Sequence, residues 1–367
     1  MEPLPPWAIG ACGALIGLAV GFSVKRAKLC TFGAFEDVIA GGDARRMKIF
    51  ALALGIAMIA TQSLIIANIF RPEFIRYLAS SVPWLSIIAG SLFFGLGMAL
   101  VGTCAFGSLV RLGAGDLRSL VSLLVFGAVA YAAMKGALAY LRADYVEAFA
   151  LGMPGQTLSD LPSILHRAFG VDPRLWISLA AGSSLIAWCL ADRRLWRSRR
   201  LLLAGFTLGA GVALGWFVTG ALSDPMSATV DPQSLTFVAP VAKTLYAFML
   251  GNHAITDFGL AAVLGVVMGA FLAARLFDEF RWEAFDDHHE MRRHIVGAAC
   301  MGFGGVLAGG CTIGQGLSAG SVLALSWPLA LAGMAIGARV GIAVLVEGSA
   351  RDLLSRLFLI PFKTLKP

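Results

Sequence analysis

The sequence predicts an all-α integral membrane protein of about nine transmembrane helices, with re-entrant half-helices and an inverted-topology repeat. Three observations point there. Hydrophobic residues make up 58% of the 367 residues and charged ones 14%, against roughly a quarter charged in a soluble domain; the mean hydropathy is +0.80. The charges gather in short clusters between long apolar runs, the pattern of a chain that crosses a bilayer repeatedly. One small-residue stretch is also written twice. GLGMALVGTCAFG (Gly95–Gly107) and GFGGVLAGGCTIG (Gly302–Gly314) agree at six positions with a single offset of 207 and no gap.

The expected spans are 7–24, 48–70, 84–103, 119–140, 175–191, 201–221, 258–277, 295–310 and 327–346. The first lacks a basic leader and is followed by Lys25, Arg26 and Lys28, so it reads as a retained span rather than a cleavable signal. The third and eighth carry the two copies of the motif. They lie five spans apart, so the copies point in opposite directions across the bilayer. Gly90 and Ile88 match Gly297 and Ile295 at the same offset, and a weaker rhythm pairs Gly17, Gly21 and Phe22 with Gly211, Gly215 and Trp216. Within a single transmembrane domain, 1–367, residues 1–174 are expected to form repeat one, 175–200 a connecting span and basic loop, and 201–367 the inverted repeat two. Inverted repeats set equivalent elements around a pseudo-two-fold axis near the midplane, so Cys104 and Cys311 are expected to converge there.

The formal charge of +7 speaks for topology rather than for nucleic acid. With alternating spans, one face collects 20 of the 29 Lys and Arg residues, in 25–48, 111–118, 192–200, 278–294 and 351–366. Basic loops stay in the cytoplasm. The N-terminus is therefore expected outside and the C-terminus in the cytoplasm. Arg193–Arg200 (RRLWRSRR) is the strongest marker. Lys135, Arg275 and Arg339 fall in or near spans: Arg275 and Arg339 read as snorkelling at span ends, whereas Lys135 is expected near mid-span, as a path or structural charge.

Of six cysteines, Cys12, Cys189 and Cys300 lie inside apolar spans and read as packing residues. The others share one form, Cys-small-apolar-Gly, where a span breaks: CTFG at Cys30, CAFG at Cys104 and CTIG at Cys311. No second cysteine or histidine stands at zinc or thioredoxin spacing, no strand precedes the glycines as a dinucleotide fold requires, and no cofactor motif occurs. The run Asp286–Glu290 (DDHHE) with His294 reads as a solvated charged loop rather than a metal site. No cofactor, no metal and no enzymatic activity are expected.

Stretches 25–46, 104–118, 222–256 and 311–326 are too broken to span and too apolar for ordinary loops. They read as re-entrant segments, which are tolerated at membrane depth only where they line a cavity. Their helix N-termini suit an anion, with the amides of Phe106–Ser108 and Ile313–Gln315 placed for it. Gly102, Gly107, Gly309, Gly314 and Gln315 thus join Cys30, Cys104 and Cys311 as candidate substrate-binding residues. A thiol buried in apolar surroundings keeps its proton and donates weakly, which suits a soft, sulfur-bearing anion that must be held and then released. Lys243, His253 and Asp257 are candidates for an outer vestibule, while Glu36 and Asp37 would deter an anion unless paired with Arg45 or Arg46.

At the two opposed G-x-G-x-x-L-x-G-x-C-x-x-G stretches and at KLCTFGAFEDV around Cys30, the chain resembles the YeeE/YedE family of bacterial membrane transporters, whose characterised members take up thiosulfate. The resemblance covers essentially the whole chain. It implies an hourglass-like protein with half-helices meeting at a waist. It also implies three cysteines that relay the ion by S–H hydrogen bonds without covalent attachment: Cys104 and Cys311 at the waist, Cys30 nearer the cytoplasm. It further implies a small cytoplasmic sulfur carrier of the TusA type, which some relatives carry as a fused C-terminal domain and which is not expected within this chain. Other sulfur or selenium anions (sulfite, polysulfide, selenite) are the alternative substrates. A membrane sulfurtransferase with a persulfidated cysteine is the alternative activity.

Overall fold

A computed structural model describes residues 5–69, 72–79, 81–142, 151–152, 159–169, 173–222, 232–250 and 257–347. The α-helices run in order as α1 (Pro6–Ala27), α2 (Thr31–Glu36), α3 (Arg45–Ile66), α4 (Trp84–Val101), α5 (Ala105–Gly113), α6 (Leu117–Lys135), α7 (Ala137–Leu141), α8 (Leu161–Phe169), α9 (Arg174–Leu190), α10 (Arg193–Trp196), α11 (Arg199–Ala221), α12 (Val238–Leu250), α13 (Phe258–Leu276), α14 (His288–Leu307) and α15 (Ser326–Glu347). Residues Gly314–Ala319 form a π-helical turn. The one strand pair among the described residues is two residues long, Ser81–Val82 against Leu151–Gly152.

The protein is an all-α, multi-pass membrane protein. Seven helical stretches are long and apolar enough to cross a bilayer, those built on α1, α3, α4, α6, α11, α13 and α15. The other two expected spans also hold helices. α9 has only 17 residues. α14 opens with His288, His289, Glu290, Arg292 and Arg293, which dilute its apolar character. One expectation is overturned. The span placed at 119–140 ends at Lys135 because Gly136 breaks the helix. Lys135 is exposed at that C-terminus, where a cation complements the free carbonyls, and not at mid-span. Of the other two such charges, Arg275 is exposed in the last turn of α13, stacked on Phe271 and Phe280, and Arg339 is exposed on α15.

Small residues set the helix contacts. A Cβ added at Gly17 or Gly21 would lie 2.3 or 2.2 Å from the carbonyl oxygens of Ala262 and Val266, and one at Gly265 or Gly269 would lie 2.2 or 2.1 Å from those of Ala14 and Leu18. α1 and α13 therefore touch backbone to backbone, as close-packed membrane helices do. The α4–α14 crossing is reciprocal: Gly90 meets the Gly304 oxygen and Gly304 the Gly90 oxygen, each at 2.6 Å, while Gly97 and Gly297 face each other likewise. The weaker rhythm fares differently. Gly17 and Gly21 face α13, whereas Gly211 and Gly215 face Val20 and Ser234, and it is Gly205 and Gly209 that meet α3.

Packing partners recur in pairs. α1 lies on α13 and α11 on α3; α4 lies on α15 and α14 on α6. Among the short segments, α5 lies on α13 and the 314–319 turn on α3; α12 lies on α6 and α2 on α15.

Candidate functional site

Gly102 follows α4 with φ +73, a left-handed conformation that glycine adopts without a Cβ penalty. The chain then turns at Cys104, the N-cap of α5, whose Sγ accepts from the Gly107 amide at 3.3 Å. The same thiol donates to the Thr31 hydroxyl at 3.7 Å. Thr31 opens α2, and the residue before it is Cys30, whose Sγ lies 3.5 Å from the Thr103 hydroxyl. A Cβ on Gly107 would sit 2.2 Å from the Thr103 oxygen, 3.3 Å from the Cys30 sulfur and 3.6 Å from the Cys104 sulfur. Glycine here lets two thiols and a hydroxyl converge.

Cys311 repeats the local geometry. Gly309 has φ +73, and the Cys311 Sγ accepts from the Gly314 amide at 3.4 Å. The amides of Phe237 and Ile313 also face this sulfur. A Cβ on Gly314 would lie 2.5 Å from the Thr236 hydroxyl and 3.0 Å from that of Tyr77. Cys104 and Cys311 are both fully buried. The ring of Phe106, two residues after Cys104, packs on the ring of Phe237 with centroids 4.9 Å apart. Cys104 thus finds its sulfur neighbour in Cys30, while Phe106 meets Phe237, the residue whose amide faces Cys311.

Five of the six amides expected to hold an anion, all but that of Phe106, are engaged within the caps. Gly107 and Gly314 donate to the cysteine sulfurs, and Ser108 and Gln315 donate to the Cys104 and Cys311 carbonyls at 2.9 and 2.8 Å. The Gln315 side chain is committed too, donating to the Ala308 carbonyl at 2.7 Å and accepting from Ser326 at 3.2 Å.

Two cavities approach these sites from opposite ends of α13. One, of about 460 Å³, is lined by Arg76, Tyr77, Gln233, Thr236, Lys243 and Asp257 and ends at Gly309 and Gly310. The other, of about 570 Å³, is lined by Lys25, Lys28, Arg46, Arg111, Arg281 and Glu279 and ends at Cys30, Gly102, Thr103 and Gly107. They share no lining residue, and neither reaches the Phe106–Phe237 pair.

Each mouth holds cations tethered by carboxylates. Lys243 pairs with Asp257 at 2.9 Å, and Asp257 also accepts from Gly259 and Gln233. Burial would raise the Asp257 carboxyl, but Lys243 and these donors hold it below its ordinary range. Burial likewise opposes ionisation of Glu279, and Lys28 and Lys25, at 3.3 and 3.4 Å, still bring it down. Asp37 pairs with Arg46 at 3.3 Å, while Arg45 turns to Asp43. Asp287, His288 and His289 bring ligand atoms within 4.8 Å of one another, fully exposed, while His294 is buried against Ser122. His253, Arg71 and the basic residues of 351–366 lie outside the described residues.

Thr31, Thr103, Thr236 and Tyr77 are functional candidates that sequence reasoning missed. A signal for two of them, Thr31 and Thr236, existed: CTFGA (Cys30–Ala34) is echoed by LTFVA (Leu235–Ala239).

Residues 26–340 match the family model for sulphur transport. The chain belongs to this family. It is also similar to the thiosulfate transporter TsuA of Escherichia coli K12, 27% identical over 321 residues that cover 83% of this chain and 86% of the relative. The thiosulfate transporter TsuA of Spirochaeta thermophila is 26% identical over 322 residues, covering 86% of this chain and 92% of the relative. Membership of a sulphur-transport family indicates a transport role rather than catalysis.

Proposed function

We propose that the protein imports thiosulfate across the bacterial inner membrane, handing the anion between protonated thiols at a central constriction. The observation that carries this reading is the convergence of the Cys30 and Cys104 sulfurs on Gly107 at the blind end of one basic cavity, with Cys311 beyond the end of the other. S–H and O–H donors offer an anion weak, multiple contacts, which suits a site that must also release it. Cations in each mouth raise the local anion concentration. The names of the two relatives favour thiosulfate as the substrate.

An inverted repeat, with 1–174 and 201–367 as its halves, is part of the proposal. Exchanging α1 with α11, α3 with α13, α4 with α14 and α6 with α15 maps each recurring helix contact onto another. Under the offset of 207 the Gly90–Gly304 contact becomes Gly97–Gly297. The proposed orientation puts the Lys25–Lys28 cavity in the cytoplasm, supported by the basic loops on that face. A TusA-type carrier is the proposed recipient there, on the family resemblance alone.

The test is growth of a thiosulfate-uptake-deficient bacterium on thiosulfate as sole sulfur source. The wild-type gene is expected to restore growth and Cys104→Ala to fail. Uptake of sulfite or selenite in place of thiosulfate would overturn the substrate, and full growth with Cys104→Ala would overturn the role of the thiols. Mass spectrometry of Cys30, Cys104 and Cys311 after turnover is expected to find no persulfide; a turnover-competent persulfide would make the protein a sulfurtransferase.

A further inference from the structure

We propose that the hydroxyls of Tyr77 and Thr236 form an outer binding site that grips the oxyanion end of the substrate and presents it to Cys311, an inference that rests on the transport reading above. The two cysteine sites differ in one respect that their shared backbone hides. At Gly107, the space a Cβ would fill is bounded by the Thr103 hydroxyl and by the thiols of Cys30 and Cys104. At Gly314, the equivalent space is bounded by the hydroxyls of Thr236 and Tyr77. The position matching Cys30 in the echoed LTFVA stretch is Leu235, which is buried and has nothing to donate. The missing thiol is replaced by a phenol from the segment between α3 and α4.

Tyr77 and Thr236 are half-buried and line the cavity of about 460 Å³ that ends at Gly309 and Gly310. Their hydroxyls flank the same space beside Gly314, and burial raises the phenol to about 12, so it stays a donor at any physiological pH. Arg76 precedes Tyr77 in the chain, and Lys243 lies on the same wall. An O–H group donates more strongly than an S–H group and suits a compact oxygen acceptor; a polarizable sulfur suits a soft one. Hydroxyls at one end and thiols at the other therefore sort an anion that carries both oxygen and sulfur termini. Tyr77 also packs edge-on against Trp216, with ring centroids 6.5 Å apart, a contact that phenylalanine would keep.

Uptake of radiolabelled thiosulfate into proteoliposomes tests this with Tyr77→Phe, Thr236→Val and Thr236→Ser beside the wild type and Cys104→Ala. Loss of one hydrogen bond to a charged group is expected to raise KM by about tenfold in Tyr77→Phe and Thr236→Val. Thr236→Ser is expected to stay near wild type, and the inhibition constant for competing sulfite to rise by the same factor as KM in the two weakened variants. A purely structural role would lower the rate without this matched shift, and that result overturns the site. Unchanged KM and sulfite inhibition in both variants overturn it as well. If the wild type itself takes up no thiosulfate, the transport reading has failed and the outer site with it; if only the variants behave normally, the outer site alone has failed.

Discussion

Gly107 and Gly314 decide how much room there is beside the two cysteine caps. A methyl group at Gly107 would push aside the Thr103 hydroxyl, 2.2 Å away, and crowd the Cys30 sulfur. Gly107→Ala is expected to cut thiosulfate uptake on the order of tenfold, by displacing donors each worth a hydrogen bond, with normal membrane abundance on immunoblots. Cys12→Ala and Cys189→Ala are expected to leave uptake intact, because Cys12 is only half-buried and Cys189 packs fully buried away from both cavities. Asp257 carries a pH dependence. Its folded carboxyl lies below the ordinary range, so its contribution is present above the unfolded pKa of about 3.9 and is lost as pH falls through the lower folded value. Below about pH 4 the α12–α13 junction is expected to loosen, read as a falling melting temperature in detergent. Asp257→Asn keeps an N-cap acceptor for Gly259 and should flatten that acid limb. At this scale the sequence announced the cysteines by their shared Cys-x-x-Gly form. It did not announce the hydroxyls, since a threonine beside a cysteine has no spacing that marks it.

The α4–α14 crossing was the most legible element, because its glycines repeat at a fixed offset and glycine is what backbone-to-backbone contact between membrane helices requires. Gly97 meets the Gly297 oxygen at 2.5 Å, so Gly97→Val is expected to overpack this crossing. The cost is roughly 1–3 kcal/mol, seen as a lower melting temperature of the purified protein, whereas Gly41→Ala, at a glycine with open space around it, should leave it unchanged. The end of α6 was less legible. The apolar run continues past Lys135 as ALAYL, and hydropathy alone carries a helix through Gly136; the break is a backbone event that composition does not record. The re-entrant stretches were recognisable as broken. The sequence did not tell that one of them, α5, is an α-helix while its counterpart is a π-helical turn. Nor did it tell that their first amides bond to the cysteines rather than stand free.

For the whole molecule, two cavities sit at opposite ends of α13, whose 19 residues span about 28 Å, and the Phe106–Phe237 pair lines neither of them. Cations outnumber carboxylates among the residues lining the Lys25–Lys28 cavity. If that face is cytoplasmic, a phosphatase reporter fused after Pro367, active only in the periplasm, is expected to be silent, and a fluorescent reporter active in the cytoplasm to light up. The spacing of the basic loops along the chain suggests this orientation by itself. The Phe106–Phe237 contact has no such signature, because the two residues are far apart in sequence and no pattern links them. Radiolabelled thiosulfate uptake into proteoliposomes by the wild type, Cys104→Ala and Cys311→Ala tests the relay most directly. Saturable uptake by the wild type and none above background in either variant is the predicted result; wild-type rates in either variant would contradict it.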